Sequence, residues 1–185
     1  MDTIKFVITE QRSPHIDIYI NGENLIERVA KIERKNWDEE EDQEAGYLGF
    51  EAMRIEQFRD EMLGKRTYRR SILLTCTCTI EECNCIMADI HFEEGIVTWS
   101  NLSSPWLGGD TYSPFVEVAD AIAEGWVPID YSGLGPFVFD KEQYLSALEQ
   151  VTEECYSRKL HEPPTDMPGN SLLGLFGLFP EDQPE

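Results

Sequence analysis

Four of the five cysteines fall within ten residues, Cys76, Cys78, Cys83 and Cys85, in the run TCTCTIEECNC. Thiols grouped in this way serve one of three ends: a disulfide or redox pair, a zinc site, or plain packing. A disulfide needs an oxidising compartment, and the roughly 4.5 to 5.5 Å between Cβ atoms of directly opposed strand residues is wider than a relaxed bridge takes. Zinc needs four sulfurs at about 2.3 Å, usually supplied by C-x2-4-C knuckles whose turn aims both at one point. C-x-C on a flat strand instead sets its sulfurs about 6.6 Å apart, so a twist or bulge must bring them together. Reduced cysteines acting as small buried hydrophobes form the third reading. It makes the hairpin metal-free, with no cofactor, and a zinc site on Cys76, Cys78, Cys83 and Cys85 is its alternative. Asp89 and His91 share the cysteine face by strand parity, which puts a Cys/His/Asp group among the candidates for a cysteine-dependent hydrolase or redox enzyme.

Other chemistry is sparse. His15, His91 and His161 are the whole histidine inventory, and no phosphate loop, H-E-x-x-H helix or G-x-S-x-G elbow occurs. Gly133-Leu-Gly135 runs into Pro136 rather than into a helix able to receive phosphate. The carboxylate pairs Glu81-Glu82 and Glu93-Glu94 stand in predicted turns, where solvation leaves no ground for acid/base work. No catalytic residue is assigned. His15, beside Pro14 at a strand start, reads as a surface residue.

The elements that must position the cysteines are strands. Ile72, Leu74, Cys76 and Cys78 alternate with Leu73, Thr75 and Thr77, and Cys83, Cys85 and Met87 alternate with Ile86, Ala88, Ile90 and Phe92. A four-residue loop makes them a hairpin. Pairing Cys78 with Cys83 places Cys76 opposite Cys85, all four thiols on one face. Glu93-Glu94-Gly95 then turns the chain into a third strand from Ile96 to Trp99, giving an antiparallel meander over 71 to 102.

The spacing Leu74-x-Cys76-x-Cys78-x4-Cys83, followed by Val97-Thr98-Trp99, the segment Tyr131-Ser-Gly-Leu-Gly-Pro-Phe-Val-Phe-Asp140 and Tyr144, resembles a group of small bacterial proteins of unassigned activity. The resemblance covers roughly residues 70 to 150 and implies an intracellular bacterial origin. Members of the group place Gly after the second Cys and an apolar residue or Pro near position 85, where this chain has Thr79 and Cys85.

Around the meander, Ile4 to Ile8 and Ile16 to Ile20 read as strands, and Leu25, Ile26, Val29 and Ile32 as a helix over 23 to 34 reached through an Asn21-Gly22 turn. Asn36 to Glu44 is an acidic loop, and Phe50 to Leu63 suggests a helix stopped by Gly64. Lys65, Arg66, Arg69 and Arg70 form the one basic cluster, self-paired with acids of that helix. A helix is expected from Phe115 to Glu124. Phe137 to Phe139 is a short strand or a buried lead into a helix from Lys141 to Lys159, started by an Asp140/Gln143 capping box. Tyr144, Leu145, Leu148, Val151, Thr152 and Cys155 form its apolar stripe.

These elements predict an α+β fold: a single domain over 1–160, mainly antiparallel sheet, with three to four helices packed on it. Residues 161–185 form a Pro-rich linker and an apolar tail that packs back on the domain or docks on a partner. No export signal or spanning run is evident, which points to the cytoplasm. Net charge is −21, and between Arg70 and Lys141 eleven acids stand without one Lys or Arg. Such a surface disfavours nucleic acid and anionic membranes and steers basic partners. The expectation is a non-catalytic, immunity- or inhibitor-like interaction protein that binds a basic protein through Glu81, Glu82, Glu93 and Glu94 and through the tail residues Leu175, Phe176 and Phe179. Its alternatives are the cysteine enzyme and a small zinc-binding structural protein.

Overall fold

A computed structural model describes residues 1–10, 13–35, 46–65, 70–77, 85–105 and 127–161. The expected acidic loop at 36–44, the helix at 115–124 and the tail beyond 161 lie outside the described residues.

The chain opens with β1 (Ile4–Glu10) and β2 (Pro14–Ile20), antiparallel from Ile4↔Ile20 to Glu10↔Pro14. Asn21 and Gly22 both take positive φ, 54° and 80°, as the tight hairpin turn requires. The Asn21 side chain is fixed as acceptor from the Thr3 N–H at 2.8 Å. The chain returns as β3 (Glu23–Asn24) along β2 and enters α1 (Leu25–Arg34) directly. Asn24 ends the hairpin and caps the helix, accepting the Ile26 N–H at 2.8 Å. The helix expected from residue 23 thus begins two residues later. Its apolar period starts only at Leu25, and Glu23 and Asn24 are taken by the ladder.

A similar substitution occurs at the second expected helix. Phe50 and Glu51 form β5, paired to β2 at Ile16↔Phe50, before a 3-10 turn over Ala52–Arg54 and α2 (Ile55–Met62). β4 (Tyr47–Leu48) was not foreseen, because two residues carry no readable period. Gly49 joins β4 to β5 where a Cβ would lie 2.4 Å from the Ile16 carbonyl oxygen. Only glycine lets the backbones approach so closely. Gly64, at φ 68°, ends α2 as expected.

The second sheet runs in the order β4-β6-β7-β8-β9, with β6 at Ser71–Cys76, β7 at Ile86–Phe92, β8 at Ile96–Ser103 and β9 at Phe137–Asp140. The first holds β1, β2 and β3, with β5 on β2. Among the described residues every strand pairing is antiparallel, and an isolated parallel bridge, Asp2↔Phe139, joins the two sheets. Together with its helices this makes the fold α+β. The final helix, α3 (Lys141–Ser157), packs across β1, with Asp140 accepting the Gln143 N–H at 2.9 Å. The reciprocal half of the expected capping box is absent: the Gln143 amide donates instead to the Ile4 carbonyl at 2.7 Å, tying helix to strand.

One buried cluster runs through both sheets and α3. At its centre Trp99, Phe139, Tyr144, Phe6 and Phe92 meet mostly edge to face, at centroid separations such as 5.3 Å for Trp99–Phe139 and 5.9 Å for Phe92–Tyr144. Cys155 lies in this core, as its stripe predicts, whereas Leu145, expected on the same stripe, is 37 % exposed. Position 145 falls one residue off the row through Tyr144, Leu148, Val151 and Cys155, which is enough to turn it outward.

Two further expectations are corrected. In the cysteine hairpin the register shifts between Ile72 and Leu74 and then sets Leu74 opposite Ile86; the expected frame would set Leu74 opposite Met87. A one-residue slip changes which residues stand opposite one another, so the expected frame, which set Cys76 opposite Cys85, is not the frame of the described ladder. His15 is not a surface residue but only 6 % exposed. Its strand lies between β1 and β5, with Thr9 and Glu51 opposite it, so a residue at the strand start is flanked on both sides.

Candidate partner-binding surface

The cysteines are placed first. Cys76 is half-buried and lies opposite Tyr47 on β4, while Cys85 is buried immediately before β7. Cys78 and Cys83 lie outside the described residues. Among the described residues no three His, Cys, Asp or Glu side chains converge as a metal site. His91 is exposed near the opposite end of β7 from Cys85. Six residues of extended chain separate them by about 20 Å, so shared parity does not bring these two into one reacting group.

Three carboxylates that sequence reasoning passed over are buried: Asp17, Glu33 and Glu61, at 7 %, 5 % and 1 % exposure. The Oε1 of Glu33 accepts hydrogen bonds from the Tyr47 hydroxyl at 2.7 Å and the Tyr131 hydroxyl at 2.6 Å. Burial lifts its pKa above the ordinary glutamate range despite both bonds, and burial likewise holds the two tyrosines protonated as donors. Glu61 accepts the Ile72 N–H at 3.0 Å, and Ser71 donates to the Glu61 carbonyl at 2.8 Å, fixing α2 to β6. Asp17 accepts from Asn24 Nδ2 at 3.1 Å, and burial raises its pKa as well. The signal for Glu33 was present and unread. It sits on the same helix side as Val29 and Ala30, which are buried.

The outer surface is arranged differently. Glu93 and Glu94 are exposed at the β7–β8 turn, where the Glu93 N–H donates to the Ile96 carbonyl at 3.1 Å and Gly95 takes φ 78°. The pairing Ile96↔Asp140 brings the start of α3 beside this turn, so Asp140 and Glu142 stand near it, both exposed. Glu149 and Glu153 continue the exposed side of α3. Lys141 is turned inward here: its Nζ donates to the Glu93 carbonyl at 3.3 Å and lies 5.9 Å from the centroid of the Phe92 ring. Among the described residues none of Glu93, Glu94, Glu142, Glu149 and Glu153 has a basic side chain within ion-pair distance. Of the expected partner-binding residues, Glu93 and Glu94 are therefore placed together on this surface. Glu81, Glu82, Leu175, Phe176 and Phe179 lie outside the described residues.

About 20 Å further along β8, an open groove of about 970 Å³ runs between the strand ends and the segment 127–136. Arg70, Asp89, Asn101, Asp130 and Tyr131, the Glu33 partner, are among the residues that line it. Compared with protein-family models, curated proteins and solved structures, the chain matches none. Among the described residues no helix is long and apolar enough to cross a membrane.

Proposed function

We propose that this protein is a non-catalytic acidic interaction protein of the cytoplasm, immunity- or inhibitor-like in action, that binds a basic protein surface. The observation that carries this reading is the set of five exposed carboxylates, Glu93, Glu94, Glu142, Glu149 and Glu153, presented by one turn and one helix without ion-pair partners among the described residues. Carboxylates held on rigid elements and not internally neutralised attract a cationic surface over a range set by salt, about 8 Å at physiological ionic strength. The same surface repels phosphate backbones, which supports a protein partner over a nucleic acid.

The test is affinity capture on the full chain at low salt, followed by elution with rising salt. A basic protein should be retained and released by salt. Replacing Glu93, Glu94, Glu149 and Glu153 together by Gln should weaken it at least about tenfold, as four surface charge pairs of a few tenths of a kcal/mol each require. Capture of no salt-sensitive basic protein rejects the reading.

A further inference from the structure

Segment 127–136, which leads into β9, is neither helix nor strand. It buries the side chains of Ile129, Tyr131 and Leu134, and within it the Ser132 N–H donates to Asp130 Oδ1 at 2.8 Å and the Leu134 N–H to the Tyr131 carbonyl at 2.8 Å. Both bonds are local. Among the described residues, the hydrogen bonds that fasten this segment to the rest of the molecule meet at one atom, the Tyr131 hydroxyl, which donates to Glu33 Oε1 at 2.6 Å and also meets the hydroxyls of Tyr47 and Ser104. The same Glu33 oxygen accepts the Tyr47 hydroxyl at 2.7 Å, and Cys76 on β6 stands opposite Tyr47. Among the described residues no cation faces the Glu33 carboxyl. On the segment itself Asp130 is exposed, and its bonds from Ser132 hold its carboxyl below the usual range, so it is already ionised where Glu33 titrates.

We infer that Glu33 is a proton-operated latch: its protonated carboxyl holds the Tyr131 hydroxyl and keeps segment 127–136 closed beside the end of β8, and its carboxylate lets the segment move out. A buried carboxylate served by two hydroxyls and no cation is poorly compensated for its lost hydration. When protonated, its carbonyl oxygen still accepts both hydroxyls through two lone pairs. Ionised, it gains by admitting water. Tyr47 is held in a strand paired to β6, so the side that yields is the segment fastened at one hydroxyl. Burial raises the Glu33 pKa in the closed state, and water in the open state returns it towards about 4.3. Closure is therefore fully favoured below that open-state value and weakens as pH rises through the closed-state one.

The test is amide hydrogen exchange of the full chain between about pH 4 and about pH 8, corrected for the intrinsic pH dependence of exchange. Protection of the amides in 129–135 should fall at least about tenfold across that range, the effect of one pKa unit, while Ile18 in β2 keeps its protection. Glu33→Gln retains an acceptor for the Tyr131 hydroxyl and should abolish the pH slope. Tyr131→Phe removes the latch and should lower protection of the segment at every pH. The Glu33 carboxyl carbon signal of the ¹³C-labelled parent should titrate in step with the protection, a measurement that needs no variant. Protection of 129–135 that ignores pH, a slope that survives Glu33→Gln, a fall shared equally by Ile18, or a Glu33 titration out of step with the protection overturns the latch.

Discussion

In the first 65 residues Asp17, Glu33 and Glu61 are buried against hydrogen-bond donors, and Glu23, Glu56 and Asp60 meet Arg28 and Lys31, Arg59, and Lys65 respectively. Among the described residues between 85 and 161 most carboxylates stand in solvent, and Glu154 pairs with Arg158. The same side-chain type therefore holds the first region together and decorates the second. A buried carboxylate costs free energy unless donors surround it, so its neighbours are constrained; a solvated one constrains nothing and is free to meet a partner.

Glu33 is where that contrast can be broken with the largest effect. Glu33→Ala leaves the Tyr47 and Tyr131 hydroxyls without their buried acceptor and should cost about 3 kcal/mol, read by urea unfolding. If the loss stays below about 0.5 kcal/mol, the carboxylate is decoration like the others. Glu33→Gln sharpens the point through pH. The folded-state pKa of Glu33 is raised, so its protonation favours the folded form. That share of stability is fully present below the unfolded value near 4.3 and is lost as pH rises through the folded one. The Gln variant lacks this slope, and its stability relative to the parent should climb over that interval.

Gly49→Ala comes next. A Cβ there would meet the Ile16 carbonyl at 2.4 Å and Asp17 Oδ1 at 2.5 Å, so β2 or the β4–β5 link must shift, at about 2 kcal/mol. A melting temperature equal to the parent's would show that the close approach is slack. Asp140→Ala tests the second region, where a carboxylate does hold structure: loss of the α3 cap should cost about 1 kcal/mol. The smallest effect on stability belongs to Glu149→Gln with Glu153→Gln, within about 0.5 kcal/mol, although these changes contribute to weakening the proposed partner. A larger stability loss there would mean that the α3 face is structural and would dissolve the distinction.

Part of the candidate surface was legible beforehand. The Glu93-Glu94-Gly95 turn follows from local residue types, and the charge imbalance is a count. The groove was not, because Arg70, Asp89 and Asp130 are brought together only when β7, the end of β8 and the segment 127–136 assemble.

By itself the sequence determined the period-two strands around Ile4–Ile8, Ile16–Ile20, Ile72–Leu74, Ile86–Phe92 and Ile96–Trp99, a helix soon after the Asn21-Gly22 turn and one from Lys141, the Asp140 cap and the acidic balance, since each depends on neighbours within a few residues. Tertiary structure alone decided that Asn24 serves strand and helix at once, that Phe50 pairs with Ile16, that the β6–β7 register slips, and that His15 is buried. It alone joined Glu33 to hydroxyls 14 and 98 residues away. Register and burial are set by what packs on the far side of a strand, and a local pattern carries no record of which distant segment that will be.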